Sequence, residues 1–269
     1  MRIYQPQRGV GTAQHVDSFI IIDDAGVEIG QGGLDYRILK KSAGDRPLEI
    51  EMIMNAHPVA ADTLYGALLA RAENIKAESG NLPAHLFVRC ALNDIQRHDY
   101  FINMGFDDKD GMELFVQTIE GLSRRRNYPP IGTQCVDVDL HTRSRREEFL
   151  HRLLELGDLP HAEEWITDKM RGQVFVAKAV YYGSDLCGLC LVTGGQQEAY
   201  LNMIGVEPKW RGKGVAAAMI DEVDQQLARQ KVPYLVARAP RRNRQILKVF
   251  QRTGFDWIHT EELLLGKDM

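Results

Sequence analysis

Long hydrophobic runs are missing from this chain of 269 residues. No stretch approaches the roughly 20 apolar residues of a membrane-spanning helix. The opening residues, MRIYQPQRGVGTAQH, have no apolar core of the kind a secretory leader carries. No membrane association is expected, and the cytoplasm is the expected compartment. Cysteine is scarce as well. Four residues cannot staple a chain of this length, which excludes a disulfide scaffold. Charge of one sign is also absent. With 33 basic against 37 acidic side chains and a net charge of -4, the chain lacks the electrostatic footprint of a general nucleic-acid binder. The apolar fraction of 44% is that of a globular protein, and the length suits two domains of ordinary size.

The cysteines offer one pattern, C-x-x-C at Cys187 and Cys190 in DLCGLCLV. Such spacing can bind metal or exchange electrons, but this context is apolar and strand-like. On a regular strand, side chains three apart point to opposite faces. Two structural strand cysteines are therefore expected, with Cys90 and Cys135 as isolated packing residues and no metal site.

Periodicity then divides the chain. Residues 18 to 54 read as strands. The segment 62 to 77 reads as a helix capped by Asp62, with Leu64, Leu68, Ala72 and Ile75 as its stripe. A strand, a short helix ending in Gly-Phe and another strand follow. Residues 120 to 134, with Pro129 and Pro130 between glycines, read as a linker. The second half opens with a strand and a helix carrying Phe149, Leu150, Leu153 and Leu154. A short helix and three strands come next. The closing pattern is helix, strand, short helix and strand, with Ala216, Ile220, Val223 and Leu227 along the longer helix. The halves echo each other. Pro58 and Pro208 are 150 positions apart, as are Asn93 and Asn243, and NMGF and RTGF close equivalent short helices. This spacing reads as a duplicated unit, with domains at 1–128 and 129–269.

The most informative stretch is IGVEPKWRGKGVAAAMI, residues 204–220. Arg-Gly-Lys-Gly stands where a strand becomes a helix. A helix N-terminus carries unpaired backbone N–H groups and about half a positive charge, so it favours a phosphate. Glycine lets the backbone approach the phosphate closely. Arg211 and Lys213 add charge, and small Ala216 and Ala217 avoid crowding. The spacing is neither that of the Walker loop nor that of the dinucleotide fingerprint.

Here the sequence resembles the GNAT N-acetyltransferase superfamily. Its acyl-CoA loop, Val-x-Pro-x-x-[Gln/Arg]-x-x-Gly-x-[Gly/Ala], is filled by Val206, Pro208, Arg211, Gly214 and Ala216. A second signature, ending in Gly-Phe, is matched by Asn243, Phe250, Gly254 and Phe255. The resemblance covers about 135 to 269. It implies a mixed α/β (α+β) fold with two GNAT-like domains, each a mostly antiparallel twisted sheet flanked by helices, the first a degenerate copy. It further implies acetyl-CoA as co-substrate, with no metal. Ile204, Gly205 and Val206 would pair with pantetheine. Arg211, Gly212, Lys213, Gly214, Val215 and Ala216 would cradle the pyrophosphate. Asn243 would bind pantetheine, Phe250 would line the cofactor side, and Arg241, Arg242 and Arg244 are candidates for the adenosine phosphate. The implied chemistry is acetyl transfer to a primary amine, with Glu198 as base and Asn202 on the same strand face. The family's frequent acid is a tyrosine where this chain has Phe250, and Tyr200 is the substitute candidate.

The first half has PVAADTLYG where the second has its basic glycine loop. The phosphate-binding charge is gone, so no CoA binding is expected there. The acceptor, a small molecule or a peptide, is not legible. Asp158, His161, Glu163 and Glu164 could attract a cationic amine or could simply be solvated. The competing class is a non-catalytic acyl-CoA sensor or scaffold. A homodimer is compatible with the sequence, which does not fix the oligomeric state.

Overall fold

The computed structural model describes residues 1–5, 17–38, 47–119, 127–156 and 163–269. The chain divides into two compact units. The first comprises Met1–Gly111 together with Glu262–Met269, and the second comprises Met112–Glu261. The change-over thus falls at Gly111/Met112 and again at Glu261/Glu262, whereas the sequence reading divided the chain at 128/129.

The first unit contains β1 (Arg2–Tyr4), β2 (Asp17–Ile22), β3 (Glu28–Ile38), β4 (Leu48–Ala56), α1 (Pro58–Glu78), β5 (Ala84–Ala91), α2 (Ile95–Asn103) and the start of β6 (Asp107–Thr118). Strands β1 to β4 form an antiparallel meander, and β5 lies parallel to β4. On its other side, β5 pairs antiparallel with Glu262–Asp268, the end of the chain. The buried stripe of α1 is Ala60, Leu64, Leu68, Ala72 and Ile75, at spacings of three and four. It packs on the sheet with Leu86, Val88, Phe101 and Leu265. Each fully buried leucine or isoleucine contributes about 1.5–3 kcal/mol of burial free energy.

The second unit contains β7 (Thr133–Asp137), α3 (Arg143–Leu156), α4 (Glu163–Lys169), β8 (Val174–Tyr182), β9 (Asp185–Gly194), β10 (Glu198–Val206), α5 (Val215–Arg229), β11 (Tyr234–Pro240), α6 (Arg244–Thr253) and the start of β12 (Asp256–Asp268). Its sheet repeats the plan: β7 to β10 run antiparallel, and β11 lies parallel to β10. The strand beyond β11 is Met112–Thr118 of β6. Two cores cover this sheet. One is built on α5 and α6, with Met219, Val223, Leu227 and Phe250. The other is built on α3 and α4, with Phe149, Leu153 and Ile166. Leu154 is exposed, so the buried side of α3 is narrower than its sequence suggests.

The repeat is visible in register. Leu48 pairs with Ala84, and Glu198 pairs with Tyr234, each partner shifted by 150. Gly30 faces Ala56 and Ala60, at the end of β4 and in the first turn of α1. Gly188 faces Val215, in the first turn of α5, at the end of β10. In both units the missing Cβ lets the helix start close above the sheet. The copies differ in what joins strand to helix. Only His57 separates β4 from α1, whereas eight residues, Glu207 to Gly214, separate β10 from α5. Helix α1 starts at Pro58, with the His57 side chain accepting from the Val59 N–H. Asp62 is therefore no cap; it lies inside the helix and accepts from the Tyr100 hydroxyl.

Cys187 and Cys190 are buried and unbridged. The expected opposite-face arrangement is corrected by an irregularity between Val180 and Tyr181. There the β8 partner changes from Gly188 to Leu186, leaving Cys187 as the extra residue. The bulge turns both cysteines into one core. Burial pushes the Cys190 thiol up to about 12, so it remains protonated and packs as a small hydrophobe.

Because Met112–Thr118 completes the second unit, a fragment of residues 129–269 lacks the neighbour of β11 and the buried Phe115. We expect fragment 110–269 to melt cooperatively and fragment 129–269 to lose that cooperativity, measured by calorimetry. Identical transitions would show the strand to be dispensable.

Candidate active site

Strands β10 and β11 pair in parallel only from Glu198–Leu201 against Tyr234–Ala237. Beyond that point they part. On its other edge β10 carries a bulge, because Leu201 faces Val192 while Met203 faces Leu191, leaving Asn202 as the extra residue. Strand β11 continues through Arg238, Ala239 and Pro240 against β6. From Asn202 to Val206, β10 has no β11 partner, so backbone groups face the opening wedge.

A cavity of about 690 Å³ lies at this parting, with Tyr200, Asn202, Thr193, Val236, Arg238 and Lys169 among its walls. Thr193 donates to Asn202 Oδ1 at 2.7 Å, which orients the amide at the bulge. The Tyr200 hydroxyl donates to Glu198 Oε1. That hydrogen bond, with burial and the carboxylate's charge, raises the Tyr200 hydroxyl above the ordinary tyrosine range. Glu198 is exposed and does not line the cavity, whereas its partner Tyr200 does. Arg238 forms a two-pronged pair with Glu261, at 2.6 and 3.0 Å.

The segment joining β10 to α5 forms one 3-10 turn, Pro208–Trp210, and then two left-handed glycines. Gly212 has φ 73° and Gly214 has φ 88°. A side chain at either position would be strained, although both face open space. Arg211 Nε donates to the Val206 carbonyl at 3.1 Å, tying the segment back to the strand. Lys213 Nζ lies 4.8 Å above the Trp210 ring. Gly214 is the N-cap of α5 and offers no side-chain cap. The first helical bond runs from the Ala218 N–H to the Gly214 carbonyl, so the amides of Val215, Ala216 and Ala217 precede the ladder.

The other sequence-selected residues are placed as follows. Ile204 and Val206 are half-buried against the α5 core. Gly205 is buried beneath Leu156 of α3. Val215 is buried, and Ala216 is half-buried. Asn243 caps α6, its Oδ1 accepting from the Ile246 N–H at 3.3 Å, which leaves its amide N–H groups outward. Phe250 lies in the core built on α5 and α6. It is 1% exposed, its ring packed against those of Phe115 and Phe255. Arg241 pairs with Glu113 at 2.5 Å and donates to Thr260. Asp158 and His161 lie outside the described residues, and Glu164 is exposed.

Sequence reasoning missed Glu113. This buried carboxylate accepts from Arg241, Trp257 Nε1 at 2.6 Å and Thr260 at 3.1 Å. Its partners are 128 to 147 residues away, so no local pattern could reveal it. Burial pushes its carboxyl up, but the three hydrogen bonds and the guanidinium outweigh this and hold it below the usual range.

Solved structures share this fold. A GCN5-related N-acetyltransferase from Sphaerobacter thermophilus aligns over 97% of this chain and 82% of its own, with a TM-score of 0.53 and 15% identity. One from Anabaena variabilis aligns over 93% of this chain and 62% of its own, with a TM-score of 0.53 and 9% identity. At such identities the likeness is one of fold: a mixed α/β architecture of the N-acetyltransferase kind. In sequence, residues 138–255 match the acetyltransferase (GNAT) family.

A pH prediction follows from Glu113. Its folded carboxyl is depressed, so the stability it adds is present above the ordinary Glu value near 4.3 and is lost as pH falls through the folded value. Glu113→Gln should cost about 1.5–3 kcal/mol at pH 7, and the difference from wild type should close under acid. Denaturant titrations at several pH values measure this; a constant difference down to the acid limit would contradict it.

Proposed function

We propose that this protein is an N-acyltransferase that uses acetyl-CoA to acetylate a primary amine in the cavity at the parting of β10 and β11. The observation that carries this reading is the uncapped α5 N-terminus beside that parting. Left-handed Gly212 and Gly214 leave open space in front of it. The residues fit the implied co-substrate. The amides of Val215 and Ala216 and the partial charge of the helix would hold the diphosphate, with Lys213 swinging off Trp210 to meet it. The free edge of β10 from Met203 to Val206 would pair with the pantetheine arm. The outward amide of Asn243 would donate to the same arm.

The co-substrate supplies an acyl group on sulfur, a good leaving group. The chain's residues supply position and protons. Backbone N–H groups at the Asn202 bulge, released from β11, would stabilise charge on the carbonyl oxygen. The amine nitrogen forms the new bond to the acyl carbon, and the carbon–sulfur bond breaks. The amine proton passes through the Tyr200 hydroxyl to Glu198, and the relay returns a proton to the sulfur. A tyrosine hydroxyl is protonated through the neutral range, and its bond to Glu198 gives it an acceptor for the proton it passes on. Phe250 leaves the core dry and takes no part. The first unit would not bind the co-substrate, since α1 fills with helix the segment that forms the loop in the second unit.

Two outcomes are expected. Gly214→Asp places a side chain and a negative charge at the strained N-cap, and should abolish acetyl-CoA binding by calorimetric titration while the circular dichroism stays native. Unchanged affinity would remove the loop from the account. Tyr200→Phe and Glu198→Gln should each lower kcat by about 10²–10⁴, with little effect on the KM for acetyl-CoA, read by thiol release. Full activity in both variants would contradict the relay. Binding without thiol release from any amine would favour an acyl-CoA sensor.

A further inference from the structure

We propose that the acceptor is a small amine carrying a carboxylate, such as a free amino acid, with Lys169 as the residue that holds its anionic end. This rests on the reading of the cavity as the acceptor site. Two basic residues line the cavity, Lys169 at the end of α4 and Arg238 on β11. They are not equivalent. Arg238 is engaged by both carboxylate oxygens of Glu261, which neutralise it within the protein. Lys169 is half-buried and has no carboxylate within ion-pair distance among the described residues. A lysine ammonium drawn part-way out of water without a counter-charge favours an anion that supplies one.

The placement of Lys169 suits a ligand with two ends. A Cβ built on Gly172 would meet the Lys169 carbonyl at 3.1 Å and that of Gly194 at 3.5 Å. The end of α4 is thus packed close to the end of β9. Thr193, next to Gly194, is bonded to Asn202 at the bulge. One wall therefore runs from Lys169 through bare glycine backbone to the polar groups of Thr193, Asn202 and Tyr200. An amine at Asn202 and Tyr200 could have its carboxylate on Lys169, with Val236 and Leu201 beside the intervening carbons. A cavity of about 690 Å³ is of the size that takes small molecules. The lone acid on the wall, Asp168, is exposed, so the half-buried charge of the site is positive. The sequence alone left the acceptor's charge open, since Asp158, His161, Glu163 and Glu164 fit a cationic amine or plain solvation equally.

The test uses the full-length protein, acetyl-CoA and matched pairs of probes. These are L-alanine, L-phenylalanine and L-glutamine, each with its carboxamide counterpart. The carboxamides are less basic, so intrinsic reactivity at neutral pH favours them. The proposal expects kcat/KM for the free acids to exceed that of the amides by about tenfold or more, the scale of one charge-assisted contact. Lys169→Met should erase most of that preference, Lys169→Arg should keep it and Lys169→Glu should invert it. Amides used equally well or better, or a Lys169→Met variant that weakens acids and amides alike, would overturn it. If acetyl-CoA binds but no amine releases thiol, the acyl-transfer reading fails by itself. Calorimetric titration of the same probes into the acetyl-CoA complex then decides the carboxylate site. Binding of the acids that depends on Lys169 supports it, and no binding of any probe overturns it.

Discussion

The parting of two parallel strands is the constraint on which the site depends. Glu198–Leu201 and Tyr234–Ala237 are held in register, and four residue pairs suffice to fix the apex of a wedge. The bulge at Asn202 then re-aims β10, while β11 follows its other neighbour, β6. Unpaired backbone inside a sheet normally costs free energy. Here it creates a row of polar groups that a polar ligand arm can complete. The cavity, the tyrosine–carboxylate pair and the uncapped helix all stand around this one discontinuity in the ladder.

The two units show how little sequence separates an open glycine loop from a helix. Both place a glycine beneath the first turn of the helix, and both keep the same parallel register. In the first unit, PVAADTL contains no residue that forbids α-helix, and Pro58 is well placed at its first position. In the second, Gly212 and Gly214 take up left-handed conformations, and the segment stays out of the helix. The difference in function proposed for the two copies reduces to the backbone conformation of about seven residues.

Much of this was legible in the sequence, for reasons of range. The helix stripes, the strands, the duplication and the glycine loop are patterns within about 20 residues, and the loop appears where its spacing placed it. The failures are non-local or depend on a single inserted residue. Cys187 lies on an unexpected face because of one bulge. Asp62 looked like a cap because the helix gained its first turn from a segment that is loop in the other copy. Neither the burial of Phe250 nor the pairing of Arg241 with Glu113, 128 residues upstream, is visible in a local pattern. Lys169 and Arg238 carry no motif, and only the packing of α4 and β11 around one cavity distinguishes them.

The central claim is that the N–H groups opening α5 grip the diphosphate of an acyl-CoA and that their counterparts opening α1 do not. Amide hydrogen exchange of the full chain, with and without saturating acetyl-CoA, measures this directly. The account predicts new protection at residues 212–217 and along 203–206, with 57–64 unchanged. Unaltered exchange at 212–217, or protection appearing at 57–64 in its place, would contradict it.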